Sequence, residues 1–307
     1  MVRHRNLLAF LALAGLWGTA FMAIKAGLAY FPPVLFAAVR FDIAGVLMLG
    51  YAIHATDRRR PRGTAEWALV GVGAVFLIAA YHAFLFVGEQ GTTSAAAAVV
   101  VSLSPVLTTG FARVFLPGER LTIAGVAGVL LGLAGVVVLT SPDPTTLLSG
   151  DLLAEGLVFA AALSFALGSV LTRRIPANLP IETMEAWSMV GGALLMHGVS
   201  VALGESRRTA EVTPAGIAAL AYLSIASSAI GFLIYFDLLD RIGPIEINLV
   251  SYVTPVFAAI SGTLLLDESI DAATVAGFVL IFAGFVVLKR RALAAEWPRL
   301  RAALSGE

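Results

Sequence analysis

Lys25, Arg40, Asp42 and His82 stand inside long apolar stretches of this 307-residue sequence, and each is able to carry or exchange charge. An ionisable group surrounded by hydrocarbon is costly, and it is kept where it binds an ion or solute, relays a proton or ties helices together. Arg40 and Asp42 are two apart, so on a helix they point to different faces and do not pair. Lys25, Arg40 and Asp42 are therefore expected to form an intramembrane charge network with neighbouring helices, or an anion-binding gate. His82, beside Tyr81 among Phe and Ala, is expected to be either neutral and hydrogen-bonded or titrating. Trp17, Tyr81, His82, Ser102, Ser164, Tyr235, Asn248 and Tyr252 add polar tips to apolar walls, and such a lining suits a small, partly apolar or zwitterionic solute.

Other chemistries find no support. There is no cysteine and no H-E-x-x-H for zinc, and no G-x-S-x-G elbow occurs. His4, His54, His82 and His197 are scattered, so no metal site, cofactor or enzymatic activity is expected. Asp237 and Asp240 beside Arg241 read as a solvated helix end. "DRRRPR" at 57–62 is too short to argue for nucleic acid, and topology explains it.

The positioning elements follow from composition. The chain is 59% hydrophobic and 13% charged, with a mean hydropathy of +0.92; a soluble domain carries about 25% charge. Apolar runs recur at 6–29, 33–54, 66–88, 94–115, 121–140, 151–172, 181–203, 214–239, 244–266 and 271–289. Each is near the ~20 residues that cross a bilayer as a helix. The expected fold is an all-α integral membrane protein of ten transmembrane helices. The first run follows Arg3 and Arg5 and contains "ALAG", but a cut there would leave too short an apolar region for a signal peptide, so it reads as a retained helix.

Lys and Arg set the orientation. With the N-terminus cytoplasmic, the inner side collects Arg3, Arg5, Arg58, Arg59, Arg60, Arg62, Arg113, Arg120, Arg173, Arg174, Arg241 and the Lys289–Arg291 cluster, while the outer loops hold Arg207 and Arg208. The positive-inside rule then places both termini in the cytoplasm of a multi-pass protein of the cytoplasmic (inner) membrane.

The sequence also repeats itself. A shift of 147 lays Pro33 on Pro180 and "GVLML" on "GALLM"; a shift of 149 lays Glu119 on Glu268, Gly128 on Gly277 and Gly135 on Gly284; a shift of 150 lays Ser104 on Thr254, Pro105 on Pro255 and Ser94 on Pro244. Two copies of five helices each, residues 6–140 and 151–290, must enter the membrane from opposite sides because five is odd. Residues 291–307 are left as a cytoplasmic tail.

Pro105 and Pro255 frees the carbonyls of Val101 and Ser251, with Ser102, Ser104, Ser251 and Thr254 in range to satisfy them. They are expected to kink their helices and to act as hinges of a cavity between the two copies. Gly125, Gly128, Gly132 and Gly135, with Ala273, Gly277 and Gly284, permit close helix approach within one chain or across a dimer, so the protein is expected as a monomer or homodimer.

"LWGTAFMAIKAG", "AAVRF", "SLSPVL" with "LPGERLT", and "YVTPVFAAISGTLLLDESI" resemble the two EamA domains of the drug/metabolite transporter superfamily, over essentially the whole chain. The resemblance implies a ten-helix carrier moving small metabolites, amino acids foremost, by alternating access and in the direction of export; a lipid-linked or anionic metabolite translocase is the alternative. The related small multidrug resistance proteins couple efflux to protons through a glutamate in their first helix, where this chain has Gly15 and, in the second copy, Ala162. Coupling is then left to His82, Asp42 or Glu89, or transport is facilitated diffusion.

Overall fold

The computed structural model describes residues 2–116, 123–140, 150–206, 210–247 and 249–305. Glu119 and Asn248 lie outside them. Among the described residues every regular element is helical and no strand forms, as lipid requires of a chain that must satisfy its backbone groups within each segment. Helix α1 covers Val2–Gly27 and α2 covers Pro33–Ala55. Next come α3 (Gly63–Val72), a π-helical segment Gly73–Ala80 and α4 (Tyr81–Gly88), in one rod closed by a 3-10 turn, Glu89–Gly91. Helices α5 (Ser94–Val101), α6 (Ser104–Phe115), α7 (Ile123–Thr140), α8 (Gly150–Arg174) and α9 (Ile181–Ala202) follow. A second π-containing rod consists of α10 (Pro214–Ala221), the π segment Tyr222–Ile230 and α11 (Gly231–Ile247). Helices α12 (Val250–Leu266) and α13 (Ala272–Ser305) complete the described chain.

Among the described residues six stretches are long and apolar enough to cross a bilayer: Arg5–Leu28, Pro33–Ala55, Gly63–Gly91, Ser94–Phe115, Leu152–Arg174 and Pro214–Ile242. Ile123–Leu139, Val250–Leu266 and Ala272–Val287 are shorter apolar helices.

Residues 291–305, expected as a cytoplasmic tail, are helical and continue α13. One boundary differs from the sequence expectation. Pro244 does not start a helix; α11 runs through it to Ile247. The carbonyl it displaces belongs to Asp240, an exposed residue that water can reach. The two matched prolines also act differently. Pro105 sits in the first turn of α6, after a joint at Ser102 and Leu103, and the Ser104 hydroxyl donates to the freed Val101 carbonyl at 2.7 Å. Pro255 lies inside α12, where the bond it forfeits belongs to the helix's own first turn; Thr254 Oγ1 donates to the Val250 carbonyl at 2.9 Å.

Helix pairs close through small residues. Helices α7 and α13 meet backbone to backbone: a Cβ on Gly135 would lie 2.7 Å from the Gly277 carbonyl oxygen, one on Gly277 the same 2.7 Å from that of Gly135, and one on Gly284 2.6 Å from that of Gly128. The expected glycine approach therefore occurs within one chain, and dispersion over such close backbones is what holds helices together in lipid. Helix α1 meets α12 in the same way, with a Cβ on Gly18 falling 2.5 Å from the Thr254 carbonyl oxygen. Helices α2 and α9 pack along their lengths, as do α4 and α6 on α8. Phe36, Phe41, Phe86, Ile24 and Met48 fill the core between them.

Polar ties fasten both ends of the α2–α9 pair. At one end Glu205 accepts from the Val34 and Leu35 amides at 3.0 and 2.8 Å, capping a helix whose first residue is proline. The Glu211 amide donates to the Tyr30 carbonyl at 2.8 Å nearby. At the other end Arg58 pairs with Glu66 and donates to the Asn178 carbonyl at 2.6 Å, and Trp187 Nε1 donates to the Arg59 carbonyl at 3.0 Å. Arg174 reaches the Phe115 carbonyl there at 3.2 Å, so Arg58, Arg59 and Arg174 gather at one end of the bundle.

Candidate substrate site

The two π segments are where the helices offer carbonyls to side chains. Widening the turn from four to five residues detaches backbone oxygens from their usual partners. In Gly73–Ala80 the Phe76 carbonyl takes the Ser164 hydroxyl of α8 at 2.8 Å. In Tyr222–Ile230 the Ser227 carbonyl takes Trp17 Nε1 of α1 at 3.2 Å. Trp17 and Ser164 stand 147 residues apart, the shift that aligns the two copies, so each half caps the other half's π segment from the matching position. Glycine clears the way in both cases: a Cβ on Gly231 would lie 2.8 Å from Trp17 Nε1, and one on Gly168 2.7 Å from Phe76 Cβ.

Around the second segment the polar groups converge. The Trp17 ring lies 5.6 Å from that of Tyr235 and 5.9 Å from that of Phe232. The Tyr222 hydroxyl contacts Thr19 Oγ1, which itself donates to the Gly15 carbonyl at 2.6 Å, and lies 3.3 Å from the Leu16 carbonyl. On the other side Arg40, 6% exposed, donates from Nε to Ser228 Oγ at 3.1 Å and from Nη2 to Ser227 Oγ at 3.4 Å. Its guanidinium carbon lies 5.1 Å from the Phe41 ring centre and 5.9 Å from that of Phe86. Two of its five N–H groups thus meet hydroxyls, and no carboxylate among the described residues forms an ion pair with it.

The other residues singled out in the sequence spread over the bundle. Tyr81 and His82 form a second aromatic group: His82 sits 4.3 Å from the Phe41 ring and 4.5 Å from Tyr81, with Nδ1 on the Ile78 carbonyl at 2.9 Å. Tyr81 also faces Phe165 at 5.5 Å. Arg40 joins this group to the Trp17 group through Phe41. Ser102 is buried and spent on the Val99 carbonyl at 2.6 Å. Tyr252 packs instead against Phe282 and Phe285 of α13, at 5.6 and 4.4 Å.

The three charges do not make one network. Lys25 Nζ donates to the carbonyls of Glu89, Gln90 and Thr92 at 2.8, 3.1 and 2.8 Å. Asp42 pairs with His197 of α9 at 2.7 Å on a half-exposed face. Arg40 and Asp42 point apart, as their spacing requires.

Sequence inspection passed over Tyr222, Ser227 and Ser228. Their signal was present in "YLSIASSAI" at 222–230, polar groups repeated inside an apolar run. Two cavities open at the bundle ends. One, of about 410 Å³, lies by Asp57, Arg59, Arg62 and Trp187, and the other, of about 370 Å³, by Tyr30, Phe31, Gln90 and Glu205. Neither is lined by Trp17, Arg40, Ser227 or Tyr235.

A family model described as "EamA-like transporter family" matches residues 5–141 and again 152–290. The chain is 32% identical over 277 residues to a protein of Escherichia coli strain K12 named "Uncharacterized inner membrane transporter YedA", covering 88% of this chain and 87% of that one. It is 29% identical over 300 residues to the "Probable amino-acid metabolite efflux pump" of Salmonella typhimurium, covering 94% and 95%. A solved crystal structure superposes with a TM-score of 0.64 at 27% identity, covering 93% of this chain and 97% of that one.

Proposed function

The chain belongs to the EamA-like transporter family of the drug/metabolite transporter superfamily, and on that premise we propose that it is a secondary carrier of the inner membrane that exports small carboxylate-bearing metabolites, amino acids foremost. Arg40 carries this reading: a buried guanidinium with free donors and no carboxylate of its own, beside two serine hydroxyls and an aromatic wall, fits the carboxylate of an amino acid, and the wall fits its apolar part. The Salmonella relative's name points the same way.

The architecture proposed for it is ten transmembrane helices in two inverted five-helix copies, residues 6–140 and 151–290, with both termini cytoplasmic. Reciprocal capping of the two π segments supports the inverted pairing, and the gathering of Arg58, Arg59 and Arg174 at one end supports the orientation. Alternating access then moves the two copies around the Trp17–Arg40 region, near the midplane where such repeats meet.

The test is exchange of radiolabelled L-amino acids in proteoliposomes. Saturable exchange of at least one of them, inhibited by other amino acids and weakened by their methyl esters, is the expected result. Absence of exchange for the full set removes this cargo and moves the guanidinium to a lipid-linked or phosphorylated anion.

A further inference from the structure

We propose that Glu89 is the proton-binding site of this carrier, and that Lys25 is the group that takes its carboxylate when the proton leaves. The inference rests on the carrier reading above and adds its coupling ion. Glu89 opens the 3-10 turn Glu89–Gly91, is 0% exposed, and among the described residues has no hydrogen-bond partner at either carboxyl oxygen. Other carboxylates at this end of the bundle are fully used: Glu205 accepts two amides of α2, and Glu268 accepts the Ser94 amide at 3.1 Å on each oxygen and the Ser94 hydroxyl at 3.2 Å. An ionised carboxylate buried without a donor is among the most costly arrangements in a folded chain, whereas the neutral acid needs no counter-charge. Glu89 therefore holds a proton in this conformation.

The charged and titratable groups around it explain how that proton is released. From α1 comes Lys25, from α2 Arg40, from α4 Tyr81 and from beyond α12 Glu268. Helix α8 sets Ala154 and Val158 against the adjoining Gly88. Arg40 gives two of its five N–H groups to the two serines. Lys25 spends its ammonium on three backbone carbonyls, one of them that of Glu89 itself. A small shift of α1 moves the ammonium from that carbonyl to the carboxyl group of the same residue. The proton then passes from the carboxyl oxygen to water at the exposed Gln90 and Gly91, and the carboxylate left behind pairs with the ammonium, so the buried carboxylate is never left without a partner. Helix α1 also carries Trp17 and Thr19, which touch the second π segment. Proton occupancy at Glu89 thereby biases the helix that closes the substrate region.

Two measurements test this separately. Infrared spectra of the full protein in lipid at neutral pH are expected to contain a carboxylic-acid C=O component that Glu89→Gln removes and Glu268→Gln leaves. In proteoliposomes, Glu89→Gln is expected to keep amino-acid exchange within about twofold while accumulation driven by a pH gradient falls about tenfold or more. A neutral-pH spectrum unchanged by Glu89→Gln overturns the proposal, as does wild-type exchange that no pH gradient can drive. Should no amino acid exchange at all, the cargo reading fails alone, and the infrared spectrum still decides the proton site.

Discussion

The two π segments occupy matching places in the two halves and are capped in the same way, yet they differ in content. Gly73–Ala80 is wholly apolar in its side chains, and a serine hydroxyl satisfies its freed carbonyl. Tyr222–Ile230 carries a tyrosine and three serines, takes an indole as its cap and faces a buried guanidinium. The helical frame was kept in both copies, while the polar groups were gathered on one side. Arg40 shows this most directly: the residue 147 positions on is Trp187, which binds the Arg59 carbonyl at the end of the bundle. Polar content here is asymmetric inside a near-symmetric frame.

Removing the asymmetric charge should have the largest effect. Arg40→Ala is expected to lower amino-acid exchange about 100-fold, the loss of roughly 3 kcal/mol of charge-assisted hydrogen bonding, and unimpaired exchange by this variant would break the comparison. Arg40→Lys should recover only part of it, because an ammonium cannot bind a carboxylate in two-pronged fashion.

Where the halves are alike, matched changes should cost alike. Gly135→Ala and Gly277→Ala each drive a methyl into the other helix's backbone, and each is expected to lower thermal stability by about 1–3 kcal/mol. Unequal melting temperatures in detergent would show that the α7–α13 contact is not shared evenly. The caps come next. Ser164→Ala and Trp17→Phe should each cost about 1 kcal/mol of stability, but only Trp17→Phe should also weaken exchange, by about tenfold. Equal effects on exchange would mean both segments touch solute.

The smallest effect sharpens the comparison at the start of the last helix of each half. Asp271 accepts from the Thr274 amide at 2.6 Å, and that bond holds its carboxyl below the ordinary carboxylate range. A depressed value means that the stabilisation is present above the unfolded-state value and is lost as pH falls through the lower folded-state value. Asp271→Ala should therefore cost at most about 1 kcal/mol near neutrality, reduced by solvent screening at this exposed site, and nothing in strong acid. The matched Thr122, outside the described residues, is expected to show no such pH dependence, which melting curves of Thr122→Ala would check.

Much of the frame was legible in the residues. Apolar runs give most helices to within a few residues, since hydropathy and the length of a bilayer crossing leave few alternatives. The glycine rows at 128–135 and 277–284 point to the close pair that forms. The π segments were not legible, because an apolar run has the same composition whether its turns hold four residues or five. That hid the freed carbonyls, and with them the partners of Trp17 and Ser164. Ser227 and Ser228 were passed over for a related reason: serines in membrane helices commonly bond back to their own turn, as Ser224 does here at 2.8 Å. Arg40 was visible as a charge in an apolar run, but its partners come from residues nearly 190 positions away.

The α7–α13 contact has a genetic consequence. A clash between two side chains can be suppressed by shortening the second, but at Gly135 and Gly277 the nearest facing atom is the other glycine's main-chain carbonyl, which cannot be shortened. Second-site revertants of a bulky change at either position should therefore not arise at the other glycine, and selection for restored transport should return true revertants, changes that move an entire helix or smaller side chains at Ile281 and Leu139.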